Sequence, residues 1–258
     1  MNSLPSVGPD RELKLAFCSK EAAEYACAKW HYSKSMPPAK TCKIGVWEDD
    51  LFIGVIIFGV GSNNHSGQAF GLNQTQVCEL CRVALRAHVA PVSRMVAIAL
   101  RMLQRVNPGL RLVISYADPA HGHIGAIYQA GNWLYIGQSP KGVHQNTYYR
   151  RRDGKVQDWR IVSGKLARAH LPFGDVSLNL LGYRQDGQRP PKWKYIMPLD
   201  EEMRQRVLSL VLPYPKRLKD SSEPSAIHAE EGGAAPTQAL QSVRPKSGRL
   251  TDDLVVLR

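Results

Sequence analysis

The sequence predicts an α/β protein, a mixed and partly parallel sheet flanked by helices. Three observations carry this. Strand-like and helix-like runs alternate from Gln76 to Gly137, giving strand–helix–strand–helix–strand. The middle strand, "LRLVISY", is a continuous apolar run, as expected for a strand buried on both faces. The helix before it has one apolar stripe (Val92, Met95, Val96, Ala99, Leu103, Val106) opposite Arg94, Arg101 and Arg105, so one side packs on a sheet and the other meets solvent.

Taken in order, residues 1–14 read as a flexible leader. Ser19 can cap a helix running to Trp30, because Ala22, Ala23, Ala26 and Cys27 repeat at helical spacing. Pro37 and Pro38 make "HYSKSMPPAK" a loop. "CKIGVWEDDLFIGVIIFGVG" reads as a hairpin around the acidic turn Glu48-Asp49-Asp50. Residues 61–75, rich in Gly, Asn and Ser, form a long loop, and 76–85 a strand. The helix at 92–106 stops at Asn107-Pro108-Gly109. "ADPAHGH" is a loop, Ile124–Ala130 a short helix stopped by Gly131, and "WLYIG" a strand. "TYYRRRDGKVQDWRIV" reads as a hairpin with Asp153-Gly154 as a two-residue turn. A short helix is expected at 163–170, an extended edge strand at "PPKWKYIMPL", and a helix over 200–212. The implied organisation is a main α/β domain over 15–150, a basic extension over 151–219, and a disordered tail over 220–258.

The net charge of +12 favours a polyanionic partner, while leaving open a merely basic enzyme. No apolar segment is long enough to span a bilayer, and the start "MNSLPSVGPDRELK" lacks an apolar signal core. With five cysteines, an odd number, reduced thiols and a soluble cytoplasmic protein are expected.

Cys78 and Cys81 in "QVCELCRVAL" invite a zinc reading, but no second Cys-x-x-Cys exists, and strand alternation points the two to opposite faces. Both read as small buried residues. The alternation puts Glu79 with Val77, Cys81, Val83 and Leu85, and Arg82 with Cys78, Leu80 and Ala84. Glu79 and Arg82 are then charges in an apolar strand, either salt-bridged to a neighbour or lining a cleft. Asp118 follows the C-terminal end of "LVISY", where ligands gather in α/β sheets, although an Asx-turn before Pro119 would also explain it. His121 and His123 have a spacing that could suit a metal, yet exposed loop histidines are commoner. Tyr128 belongs to the core or faces the cleft. His31 and Tyr32, at a helix end beside a Pro-rich loop, suit a substrate pocket or an aromatic cover over the core. Tyr148, Tyr149, Arg150, Arg151 and Arg152, with Lys155, Lys192 and Lys194, combine aromatics and cations as a DNA-contacting surface would.

The order "CELCRVAL", helix, "LVISYADP", "GAIYQAGNWLYIG" resembles the second half of a Gcn5-related acyltransferase fold. With "WHYSKSMP" and "KIGVWEDDLFIGVIIFG" ahead of it, the chain resembles more specifically the phage Mu Mom family of DNA-modifying proteins. The likeness spans 15–150 and, more weakly, "KYIMPLDEEMRQRVLSLVLPYPKR". It implies conversion of DNA adenine to an N6-methylcarbamoyl-type derivative that shields phage DNA from restriction in the cytoplasm of the infected host. The substrate would be double-stranded DNA with an unstacked adenine. The family's functional positions match His31, Tyr32, Arg82, Asp118 and Tyr128, to which burial reasoning adds Glu79.

The broader acyltransferase fold holds an acyl-CoA donor on a turn before a helix. Here that turn is "RAHVAPVSRM", which would put Val89, Ala90, Val92, Ser93 and Arg94 at the cofactor, although the usual glycines are missing. The resemblance also raises iron, with His31, Tyr32, Asp118 and Tyr128 as N and O ligands. The alternative is a conventional acyl-CoA-dependent N-acyltransferase acting on a small amine or protein lysine.

Overall fold

Alternating apolar residues build a strand that begins in the last two residues of the segment read as a leader and runs on past it. In the computed structural model, which describes residues 11–37, 40–60, 65–139, 147–188, 190–216 and 255–257, strand β1 (Leu13–Phe17) sends Leu13 and Leu15 to one core and Ala16 to another. Helix α1 (Lys20–Trp30) starts at Ser19, whose Oγ accepts the Ala22 amide at 3.2 Å. Its buried stripe is the expected Ala22, Ala23, Ala26 and Cys27. Strands β2 (Thr41–Glu48) and β3 (Leu51–Gly59) meet at Asp49 and Asp50, both left-handed (φ 50° and 61°), the geometry of a tight hairpin turn.

Strand β4 (Val77–Leu85), helix α2 (Val92–Val106) and strand β5 (Leu112–Ala117) form a parallel crossover. Helix α3 (Ala126–Gln129) is shorter than expected, and strand β6 is Leu134–Gln138. Next come β7 (Thr147–Arg151), β8 (Val156–Asp158), α4 (Trp159–Arg168), α5 (Asp175–Leu180) and β9 (Tyr183–Gln188). Then follow β10 (Trp193–Pro198), α6 (Glu201–Val207) and β11 (Val255–Leu257).

The main sheet runs β11-β1-β2-β3-β4-β5-β10-β6, and β4–β5 is its parallel pair among the described strands. Helices α2 and α3 cover one face, over a core including Leu15, Ile56, Leu80, Met95, Val113 and Tyr195. Helix α1 covers the other face at Val55, Ile57 and Ala84, and α6 covers it farther along at Leu112, Ile114 and Ile196. Each large apolar side chain so buried contributes on the order of 1.5–3 kcal/mol.

Several expectations are corrected. "PPKWKYIMPL" is not an edge strand: β10 lies between β5 and β6 and pairs antiparallel with both. Its prolines fall before the strand or at its last residue, where no interior ladder bond is lost. The segment read as an extension therefore supplies an interior strand, and among the described residues 147–188 forms a separate unit, the sheet β8-β7-β9 under α4 and α5. The β7–β8 turn has three residues, not two, because Arg151 N donates to Lys155 O and Gly154 sits at φ 85°. "WRIV" opens α4 rather than extending the hairpin, since Val162 and Leu166 at helical spacing enter this unit's core. In the expected disordered tail, β11 pairs with β1. Residues 1–10, 217–254 and 258 lie outside the described residues.

Candidate active site

The site begins with a fault in the sheet. Strands β4 and β5 pair only where Val77, Cys78 and Glu79 face Leu112, Val113 and Ile114. Just beyond, β4 carries a bulge: Arg82 sits opposite Ile57 and Leu80 opposite Phe58, so Cys81 is the extra residue. A bulge bends its strand and increases its twist, and β4 and β5 part from there on. It also reverses the alternation. Leu80 and Val83 face the α2 side, while Ala84 joins the α1 core, so Arg82 shares the face of Glu79 rather than the opposite one. Cys81 sits at the fault, its Sγ 3.4 Å from Glu79 O, while Cys78 packs against the core on the α2 side. Burial pushes the Cys81 thiol up to about 12 and the Cys78 thiol higher still, as befits packing residues.

Between the parting strands lies a cleft of about 420 Å³, lined by Arg82, Val83 and Leu85 of β4, Tyr116 and Ala117 of β5, and Tyr128 of α3. Its floor is polar and fully used. Ser115 Oγ is 2.9 Å from Leu80 O and 2.7 Å from the Tyr128 hydroxyl. Ser115 has one hydroxyl proton, and the Leu80 carbonyl can only accept it, so Tyr128 donates to Ser115. Burial pushes the Tyr128 phenol well above its ordinary value. Behind it, Gly125 (φ 85°) packs against Tyr195, whose ring would lie 2.3 Å from an added Cβ. Tyr195 OH in turn donates to Ile124 O at 2.5 Å.

Asp118, 2% exposed, lines the cleft where β5 ends. Its Oδ1 accepts the Ala120 amide at 3.1 Å, the expected Asx-type cap, and its Oδ2 lies 3.3 Å from Lys192 Nζ. His31 ends α1 and is buried. The Ser33 amide donates to His31 Nδ1 at 3.1 Å, with Ser33 Oγ 2.8 Å from the same nitrogen. Nδ1 is thus an acceptor, and neutral imidazole must carry its proton on Nε2. Burial first, then the nearby positive charge of Arg82, lowers the His31 pKa to about 3. Tyr32, 44% exposed, lies between His31 and His121, with ring centroids 4.3 Å away on each side, and 5.6 Å from His123. Arg82 Nε donates to Ser35 O at 3.3 Å and Nη1 to Cys81 O at 2.7 Å, fastening the His31–Ser35 loop to the bulge.

The structure therefore gathers His31, Tyr32, Arg82, Asp118 and Tyr128 around one cleft. Glu79 is not among its lining residues; it borders a separate small hollow with Val60, Ser66 and Tyr116. His123 lines the cleft and His121 packs on Tyr32, so the two histidines with metal-like spacing join the site, and Lys192, read as a DNA contact, joins it through Asp118. Fold topology alone brings the "HGH" turn against Tyr32 and the start of β10 against Asp118.

The residues read as a DNA surface separate. Tyr149 is buried at 2% exposure in the core under α4 and α5, edge-on to Phe173, because its strand face is the inner one, and so it is not a stacking surface. Arg150 is held by Asp186 at 2.7 and 3.0 Å, Arg151 by Asp153, and Arg152 lies along Gly182. Tyr148 is half-buried and Lys155 exposed. Lys192 pairs with Asp118, and Lys194 Nζ sits 4.9 Å above the Phe70 ring on the α6 side.

The fit of a cofactor can be tested on the same geometry. Of the residues expected at an acyl-CoA donor, Val92 lines the cleft. The amides of Val89 and Ala90, however, donate to the buried carboxylate of Glu48. For a metal, Tyr128 OH is spent on Ser115 and His31 Nδ1 on Ser33. Among the described residues no group of three or more His, Cys, Asp or Glu side chains is placed to hold an ion.

The comparisons agree with one another. The chain is similar to the methylcarbamoylase mom of Escherichia phage Mu, 27% identical over 215 residues that span 80% of this chain and 85% of that protein. The profile of the Mom protein family matches residues 12–216, nearly the whole described structure outside β11, and the chain belongs to the Mom protein family.

Proposed function

We propose that this protein is a DNA adenine-modifying transferase that attaches a methylcarbamoyl-type group to N6, and that the product protects phage DNA from restriction inside the host cell. The observation that carries the reading is the cleft between the parting strands β4 and β5, with a carboxylate, a neutral imidazole and an exposed aromatic gathered on it in a member of the Mom family. A parallel strand pair that opens in this way also supports the Gcn5-related reading of the fold.

Adenine N6 is out of reach in a duplex, so the base leaves the stack. At the cleft mouth the base would displace His121 from the half-exposed Tyr32 ring, whose other face stays on His31. The N6 lone pair is delocalised into the ring and needs help as a nucleophile. Asp118 accepts the N6 proton as the new bond to the donor's electrophilic carbon forms, and Lys192 balances its charge before transfer. The donor's leaving group departs with the electrons of the bond that breaks. His31, neutral and with Nε2–H outward from its Ser33 contacts, donates to a carbonyl oxygen of the transferred group. Arg82 holds the loop that carries His31 and Tyr32. Tyr128 and Ser115 form the floor. Cations of the 147–188 unit and the exposed Arg face of α2 contact phosphates, which orient the duplex without reading sequence.

The rival reading, an acyl-CoA-dependent transferase on a small amine or lysine, expects tight coenzyme A binding and no salt-dependent DNA affinity. Mass spectrometry of nucleosides from cells expressing the protein separates the two. An adenine-derived nucleoside of increased mass supports DNA modification, and an unchanged profile from soluble, folded protein refutes it.

A further inference from the structure

Glu48, the last residue of β2, is 4% exposed, yet it carries a carboxylate. Both carboxylate oxygens lie 3.1 Å from the Val89 amide, and Oε1 also accepts the Ala90 amide at 2.8 Å. Those amides belong to the turn that leads from β4 into α2, whose first helical residue is Val92. Consecutive amides ahead of a helix N-terminus form a backbone anion site, because N–H groups converge there and the helix dipole is positive. Here a side chain of the protein itself already fills that site. Arg11 Nη1, 3.5 Å from Glu48 Oε2, balances the remaining charge.

The position matters for the cleft. Leu85, His88 and Val92, which flank this turn, are also lining residues of the β4–β5 opening. A donor entering along the opening with a pyrophosphate handle would bring its charges to the amides that Glu48 occupies. It would meet a carboxylate there, with the Val89 and Ala90 amides already bonded to it.

We propose that Glu48 is a specificity-determining residue: an internal anion that closes the phosphate cradle before α2, so that the cleft takes a small donor lacking a phosphate or pyrophosphate anchor. This rests on the reading of the β4–β5 cleft as the transfer site. It departs from the acyl-CoA expectation because of the hydrogen bonds of Glu48 rather than the missing glycines alone.

The test compares coenzyme A with pantetheine, which lacks the pyrophosphate, as ligands of the full chain in calorimetry. In the wild type, the two should bind equally within twofold, or neither should bind. A tenfold or greater preference for coenzyme A overturns the proposal. In Glu48→Ala, millimolar inorganic pyrophosphate should raise the melting temperature, while leaving the wild type unchanged. A folded Glu48→Ala protein that pyrophosphate does not stabilise also counts against the idea. Should that variant not fold, the wild-type comparison decides alone. Nucleoside mass spectrometry on the wild type reads the proposed activity separately, so a donor error and a function error give different results.

Discussion

Replacing Ser115 by Ala removes a hydroxyl that bonds two buried partners at the base of the cleft, Leu80 O and the Tyr128 hydroxyl. Neither can turn to water, since Leu80 and Tyr128 are 3% and 8% exposed. A buried polar group left unpaired costs about 1–3 kcal/mol, so the pair should cost about 2–6 kcal/mol. That is a large share of a total stability of about 5–15 kcal/mol. Tyr128→Phe in the wild type removes a donor to Ser115 Oγ but leaves the Ser115–Leu80 bond, and should cost only about 0.5–1.5 kcal/mol. In the Ser115→Ala background the same change deletes an orphaned hydroxyl, and should stabilise by about 1–3 kcal/mol. The sign of the Tyr128→Phe effect thus inverts between backgrounds. Denaturant unfolding of the four proteins, followed by fluorescence, measures it as a double-mutant cycle. If Tyr128→Phe destabilises both backgrounds equally, the hydrogen-bond directions assigned to the floor are wrong. If Tyr128→Phe abolishes modification while the fold survives, Tyr128 touches the reacting groups rather than supporting them.

Three further outcomes follow from the same geometry. His31 titrates in the folded protein near 3 and in the unfolded chain near 6.5, so the unfolded state binds the extra proton between those values. Stability contributed by neutral His31 is complete above about pH 6.5 and falls as pH drops toward 3, by up to ~1.4 kcal/mol per unit; acid titrations of His31→Asn should lose that limb. Asp118→Asn keeps an oxygen for the Ala120 amide, so its stability should stay within about 1 kcal/mol of wild type, while modification falls by about 10²–10⁴; both are read by unfolding and by nucleoside yield. Gly125→Ala puts a Cβ 2.3 Å from the Tyr195 ring at φ 85°, and should lower the melting temperature and raise cleft mobility in hydrogen exchange.

What could be read from sequence follows from where the controlling contacts lie. α1 and α2 were legible because cap and stripe are local: Ser19 with its alanines, and the seven buried residues of α2 on one side. β1 was missed because five residues, flanked by charged and polar ones, give too short an alternation, and its pairing with β2 is remote in sequence. The bulge at Cys81 leaves no mark in "VCELCRVAL", since only pairing with β3 reveals the extra residue, and strict alternation therefore set Glu79 and Arg82 on opposite faces. Asp118, His31, Tyr32 and Arg82 were recoverable because they stand at element ends or interrupt apolar runs. His121 was noticed only for its spacing to His123, and the site roles of Lys192 and Glu48 were not recoverable. Each is ordinary where it stands in sequence and becomes part of the site only when β10, the turn after β5 and the end of β2 are brought to their partners by the fold.

The central claim, that a carboxylate at the mouth of the β4–β5 cleft serves a modification of DNA adenine, is tested most directly by one measurement. Plasmid DNA from cells making the wild type and from cells making equal amounts of folded Asp118→Asn is digested to nucleosides and analysed by mass spectrometry. The account predicts an adenine-derived nucleoside heavier by a methylcarbamoyl-type group in the first sample and its near absence in the second. Unmodified adenine in both, or the same modified nucleoside at equal yield in both, would contradict it.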